Sequence, residues 1–186
     1  MAQAAETMTA PANSTLFMAA ATLWASIAAV CDVRTRRIPN QLTLTVLLSA
    51  LVLHLVSEGA AGAVDSLSAA AIAGAAFFVP FFMGAMGGGD VKLMAAIAAF
   101  GGLGRLAELM LATALSGGVL ALVVAFRHGY LRTMLIRLAN YCCAVFRISG
   151  LPLGVDPAPQ RKLFLPYGVA IAAGSLVTFW MGVMKP

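Results

Sequence analysis

The chain has 186 residues, of which 61% are hydrophobic and only 10% charged. Soluble domains carry about a quarter charged residues, so the composition excludes a soluble fold and implies an all-α, polytopic membrane protein, a single integral-membrane domain over 1–186. The net charge of +5 has no soluble basic face to act from. That excludes nucleic acid as a partner and leaves membrane lipids, with basic residues marking cytoplasmic loops.

The N-terminal stretch "MAQAAETMTAPANST" has no basic region ahead of its apolar run, so it does not read as a cleaved signal peptide and the first span is expected to stay. Six spans are expected, at 14–31, 41–56, 66–86, 91–103, 106–126 and 163–184. The fourth is short. About 13 residues at 1.5 Å each give about 20 Å, against about 30 Å of hydrocarbon. It must start below the surface, sit in thinned bilayer or lean on protein. Between the fifth and sixth spans, Leu131, Met134, Leu135, Leu138, Cys142 and Val145 recur at helical spacing, with Arg132, Arg137 and Asn140 on another side. This predicts a cytoplasmic interfacial amphipathic helix over about 130–147. A Pro/Gly-rich loop, "GLPLGVDPAPQ", follows. Cys31, Cys142 and Cys143 lack the paired spacing of a zinc site, and neither a metal nor another cofactor is expected.

With the N-terminus outside and six crossings, Arg34, Arg36, Arg37, Lys92, Arg127, Arg132, Arg137, Arg147, Arg161 and Lys162 fall inside, and only Arg105 and Lys185 outside. That asymmetry fixes the orientation by the positive-inside rule.

There are seven acidic residues. Glu6 lies in the outer tail, Glu58 and Asp65 flank an outer loop, Glu108 sits three residues after Arg105 as a helical pair, and Asp156 lies in the inner loop. Asp32 and Asp90 remain, both at the cytoplasmic boundary, where an ionisable group on an apolar span is a functional candidate. Each also has a plain structural reading: Asp32 as a partner of Arg34, Arg36 or Arg37, and Asp90 as the N-cap of the helix after it. Two carboxylates about 4 Å apart repel by about 4 kcal/mol at an effective dielectric of 20. That is enough for the pair to hold one shared proton near neutrality, the arrangement used by aspartic proteases. The triple glycine Gly87–Gly89 before Asp90 would let a substrate backbone approach and tolerate non-helical geometry.

The stretch "GGGDVKLMAA" resembles the G-x-G-D motif of the type IV prepilin peptidases, with lysine two residues after the aspartate. "CDVRTRRIPN" is similar to that family's first-aspartate region, and "LPYGVAIAAG" to its last span. The three together are specific and cover most of 15–180. The resemblance implies an aspartic endopeptidase of the bacterial inner membrane. It would remove the short basic leader from prepilin-like precursors at the cytoplasmic face, just before their hydrophobic helix. By position it makes Asp32 and Asp90 the catalytic pair and Gly87 and Gly89 the motif glycines. Larger members carry a segment with paired Cys-x-x-Cys sites and methylate the new terminus. This chain shows no such segment, so a short member of the Tad/Flp-type or archaeal-flagellin-like branch, without methylation, is implied.

Supporting roles have two readings each. Lys92 anchors at the headgroups or tunes the charge of the pair. Arg34 and its neighbours set topology, with orienting a leader secondary. Pro39 and Asn40 restart the chain and cap the second span. Pro166–Gly168 kinks the last span and brings Tyr167 near the site as a donor. His54 and His128 have no evident partner, and the phenylalanines at 77, 78, 81 and 82 are packing. Against the peptidase stand a small proton- or cation-coupled transporter using the same two acids, and a non-catalytic subunit of a secretion or pilus machine. Oligomeric state is not legible.

Overall fold

In a computed structural model of the chain, residues 2–82, 86–127, 129, 131, 136 and 166–184 are described, with side chains from residue 15 onward. They form four α-helices: α1, Ala2–Thr35; α2, Asn40–Phe82; α3, Gly88–Arg127; and α4, Tyr167–Met184. No strand occurs among the described residues. Each helix contains a segment long and apolar enough to cross a membrane, which in α1 is Thr15–Thr35. The amphipathic helix expected over 130–147 lies, apart from Leu131 and Ile136, outside the described residues, as do His128 and the loop before Pro166.

The two long helices are not straight rods. At 43 and 40 residues each would run about 60 Å or more, twice the hydrocarbon thickness. Both are broken at one glycine: Gly59 has φ 68° and ψ −156°, and Gly102 has φ 59° and ψ −172°, a region open essentially to glycine alone. The contacts on either side show that the chain reverses there. In α2, Asn40 and Phe81 meet the first turn of α3 at Lys92 and Gly88, while His54 and Ser66 meet its far end at Phe100 and Ala99. Beyond Gly102 the chain returns along α4, with Arg105 beside Thr178 and Gly117 beside Ala170 and Tyr167.

The outer loop expected between the second and third spans is thereby reduced to one residue. Ala60, Ala61 and Ala63 directly after Gly59 favour helix. The two acids expected to flank a loop bond instead: Glu58 to His54 at 3.3 Å, and Asp65 Oδ2 to the Leu103 N–H at 3.0 Å. His54 itself was expected to lack partners; it is buried, with Nε2 3.2 Å from the Phe100 carbonyl and its ring on Phe17. Arg105 and Glu108 form the expected helical pair, at 3.9 Å.

The first half of α3 is the centre of the bundle. From Leu93 to Phe100 every residue except Ala95 is buried, as suits a helix apolar on all sides. This accounts for a span too short for the bilayer: it leans on protein. Around it pack Met18, Ala21, Ala25 and Ala28 of α1, Val46, Ala50, Ala70 and Ala73 of α2, and Ile171 of α4. Small residues dominate the contacts, as where helices approach closely in lipid. The outward face of α2 carries Leu44, Leu48, Val52 and Leu55, all more than half exposed. Such a stripe is anomalous in water and ordinary against lipid.

The chain divides into two units, Met1–Gly117 with Pro166–Pro186, and Gly118–Leu165. The described part of the second is mainly the last stretch of α3, ending at Arg127.

Candidate active site

Asp32 stands in the last turn of α1 and Asp90 in the first turn of α3, both buried, at 4% and 8% exposure. Removing a carboxylate from water is costly unless hydrogen bonds replace it. Here each is met by a backbone N–H at a helix N-terminus, where donors have no partner inside the helix and the dipole favours negative charge.

Asp90 Oδ2 accepts the Gly87 N–H at 3.0 Å, and the Asp90 N–H returns to the Gly87 carbonyl at 3.1 Å. The helix begins at Gly88, so Gly87 is the cap residue and Asp90 the third helical residue, reaching back as the acid of a capping box does. The expectation that Asp90 is itself the N-cap is corrected by this geometry: α3 starts three residues earlier than 91. Asp32 Oδ2 accepts the Gly168 N–H at 3.1 Å, in the first turn of α4. The bond to Gly168 belongs to neither reading of Asp32, and the burial of its carboxyl contrasts with the exposed Arg34, Arg36 and Arg37.

Gly168 sits where a side chain would crowd its neighbours. A Cβ there would lie 3.0 Å from the Asp32 Cβ and 3.3 Å from the Ala29 Cα. Pro166 ahead of it starts α4 rather than kinking it, its carbonyl taking the Val169 N–H at 3.1 Å. Tyr167 is half-buried, packs by Gly117 and lies near enough to Asp90 to sense its charge. The charge of Asp32 likewise reaches Asp90.

The two motif regions touch at further points. Gly89 packs on Ile38, where a Cβ would meet the Ile38 Cβ at 3.3 Å, and Gly88 faces the ring of Phe81. Lys92 Nζ donates to Asn40 Oδ1 at 2.9 Å. Asn40 was expected to cap α2 with that side chain, and Lys92 to seek headgroups or the pair. They bond each other instead, and the Thr43 N–H takes the Pro39 carbonyl at 3.3 Å. Between Asp32 and Ile38 the chain turns through Arg36, which has φ 54°; its N–H closes on the Asp32 carbonyl at 2.8 Å. That is an αL helix ending with arginine where glycine is usual. Among the described residues no three of His, Cys, Asp and Glu come together as metal ligands.

The sequence profile of the type IV leader peptidase family matches residues 19–122, more than half of the chain and spanning both Asp32 and Asp90. The chain belongs to that family. No curated protein and no solved structure matches it. A member of the type IV leader peptidase family with four helices long and apolar enough to cross a membrane, it reads as an integral membrane protein of a protease family. The family match stops before α4, so Gly168 and Tyr167 reach these acids from outside the matched region. Sequence reasoning missed Gly168 as the donor to Asp32, and Ile38 as the seat of Gly89. The one available signal was a glycine directly after Pro-Tyr at a helix start.

Proposed function

We infer that this leader peptidase is an aspartic endopeptidase in which Asp32 and Asp90 share one proton and activate water. The observation that carries the reading is a pair of buried carboxylates at one end of the bundle. Each is anchored through Oδ2 on a helix-terminal N–H, and the charge of Asp32 reaches Asp90. Anchoring one oxygen leaves the other of each acid for water and substrate.

In the hydrolytic step the ionised carboxylate removes a proton from water. The water oxygen bonds to the scissile carbonyl carbon, and the protonated partner gives its proton to the carbonyl oxygen. The resulting diol then collapses. One hydroxyl proton returns to a carboxylate, the leaving nitrogen takes a proton from the pair, the C–N bond breaks, and the dyad again holds one proton.

The substrate class that fits is a prepilin-like precursor, cut between a basic leader and an apolar helix. The broken helices α2 and α3 each cross the membrane twice in this reading, which gives six crossings. The basic Arg34–Arg37 segment and Lys92 then sit on the cytoplasmic side with the dyad, in the bacterial inner membrane. A transporter would want its acids near mid-bilayer between paired broken helices. Asp32 and Asp90 lie instead at the end of the bundle opposite His54 and Arg105.

The test is co-expression with a prepilin precursor. Wild type converts precursor to mature band in the presence of chelator. Asp32→Asn and Asp90→Asn, inserted at normal levels, leave it uncut. Normal processing by either variant contradicts the dyad, and loss of processing with chelator points to a metalloprotease.

A further inference from the structure

Asp32 is held from α4 and Asp90 by its own helix start, so neither anchor sets the distance between the two. The core packing of α1 on α3 sets the two helices side by side, and close to the acids two further contacts join 38–40 to 89–92: Ile38 on Gly89, and Asn40 on Lys92 across 52 positions of sequence. The chain from Asp32 to Asn40 is itself braced. The Arg36 N–H closes on Asp32, and the Thr35 hydroxyl donates to the Arg37 carbonyl at 2.8 Å. On the other side Lys92 stands two residues from Asp90 in the same helical turn. Residues at that spacing do not face each other, so the lysine reaches toward α2 and not toward the carboxylate of Asp90.

We propose that Lys92 is a positioning residue, acting through Asn40: its bond closes a ring running from Asp32 through Asn40 and Lys92 to Asp90 and fixes how far apart the carboxylates stand. The proposal rests on the aspartic reading above. An exposed bond of this kind adds little to the stability of the fold. Its effect falls on the rate, because a displacement of about 1 Å in a reacting group costs on the order of a hundredfold. A charge-tuning lysine would need its ammonium alone. A positioning lysine needs the acceptor as well, and this distinguishes the two.

The experiment measures kcat and KM for cleavage of a prepilin-like precursor by the purified full chain. Lys92→Met and Asn40→Leu each lower kcat by about ten- to a hundredfold, with KM within about twofold. The double variant is no slower than the slower single. Lys92→Arg and Asn40→Asp, which keep a donor and an acceptor, restore most of the rate, and no variant moves the limbs of the pH profile. Asn40→Leu at wild-type rate, single losses that multiply in the double, or pH limbs displaced by Lys92→Met would overturn the proposal. The restoring pair guards against misfolding, since Asn40→Asp as slow as Asn40→Leu also counts against it. If Asp90→Asn still cleaves, the aspartic reading itself has failed. If Asp90→Asn is inactive and both Lys92→Met and Asn40→Leu cleave as wild type does, this inference alone has failed.

Discussion

Gly168 offers no side chain, yet two features of it bear on Asp32. Its N–H supplies the bond at 3.1 Å, and its missing Cβ leaves room for the carboxylate to reach that bond. Alanine keeps the N–H but places a methyl 3.0 Å from the Asp32 Cβ, tighter than side chains tolerate without moving. Gly168→Ala is therefore expected to lower kcat for precursor cleavage at least tenfold while KM holds, as measured on purified enzyme. Unchanged kcat would mean that Asp32 does not depend on this contact. At this scale the sequence was legible for the acids and not for their supports. Asp90 announces itself through three glycines in an apolar chain. The bond from Gly168 to Asp32 spans 136 positions and joins two helices whose contact no local pattern encodes. The same holds for His54, whose partner Phe100 lies 46 residues away.

Among the elements, the glycines at the two reversals carry different loads. Both hold backbone conformations costly for any other residue, by about 1–3 kcal/mol. Gly59 has open space around the missing Cβ, whereas a Cβ on Gly102 would run into the Asp65 carboxylate, which also takes the Leu103 N–H. Gly59→Ala should thus cost about 1–3 kcal/mol and Gly102→Ala distinctly more, because strain and collision add. Unfolding of each variant in mixed detergent measures this, and equal losses would contradict the collision. The expected loop at 57–65 brackets the turn at Gly59 but is drawn too long, whereas the second turn falls at Gly102, inside the fourth span expected over 91–103. Composition marks where an apolar run weakens. It does not reveal that helix continues on both sides to within one residue of the turn. Of the three readings of the short fourth span, the burial of Leu93–Phe100 supports the one in which it leans on protein.

For the whole molecule, the polar groups separate to opposite ends of the bundle: Asp32, Asp90, Asn40 and Lys92 at one, His54, Glu58, Asp65 and Arg105 at the other. Basic residues concentrate at the first end, which the positive-inside rule assigns to the cytoplasm. In a background lacking the native cysteines, Arg37→Cys should resist an impermeant maleimide added outside intact cells, and Ala60→Cys should react. The reverse pattern would invert the proposed orientation. The all-helical membrane architecture was legible from composition alone, because in lipid every backbone group has to be satisfied within the helix. The pairing of helices was not, since small apolar residues look alike from position to position.

The claim on which the chemistry depends is that the acids at 32 and 90 work as one unit. Its most direct measurement is the cleavage rate of one precursor by Asp32→Asn, Asp90→Asn and the double variant, each shown to be inserted and folded. Residues that act together lose their effect together. Each single change should therefore abolish nearly all cleavage, by about a thousandfold or more, and the double should be no slower. A single variant within tenfold of wild type, or losses that multiply in the double, would contradict it.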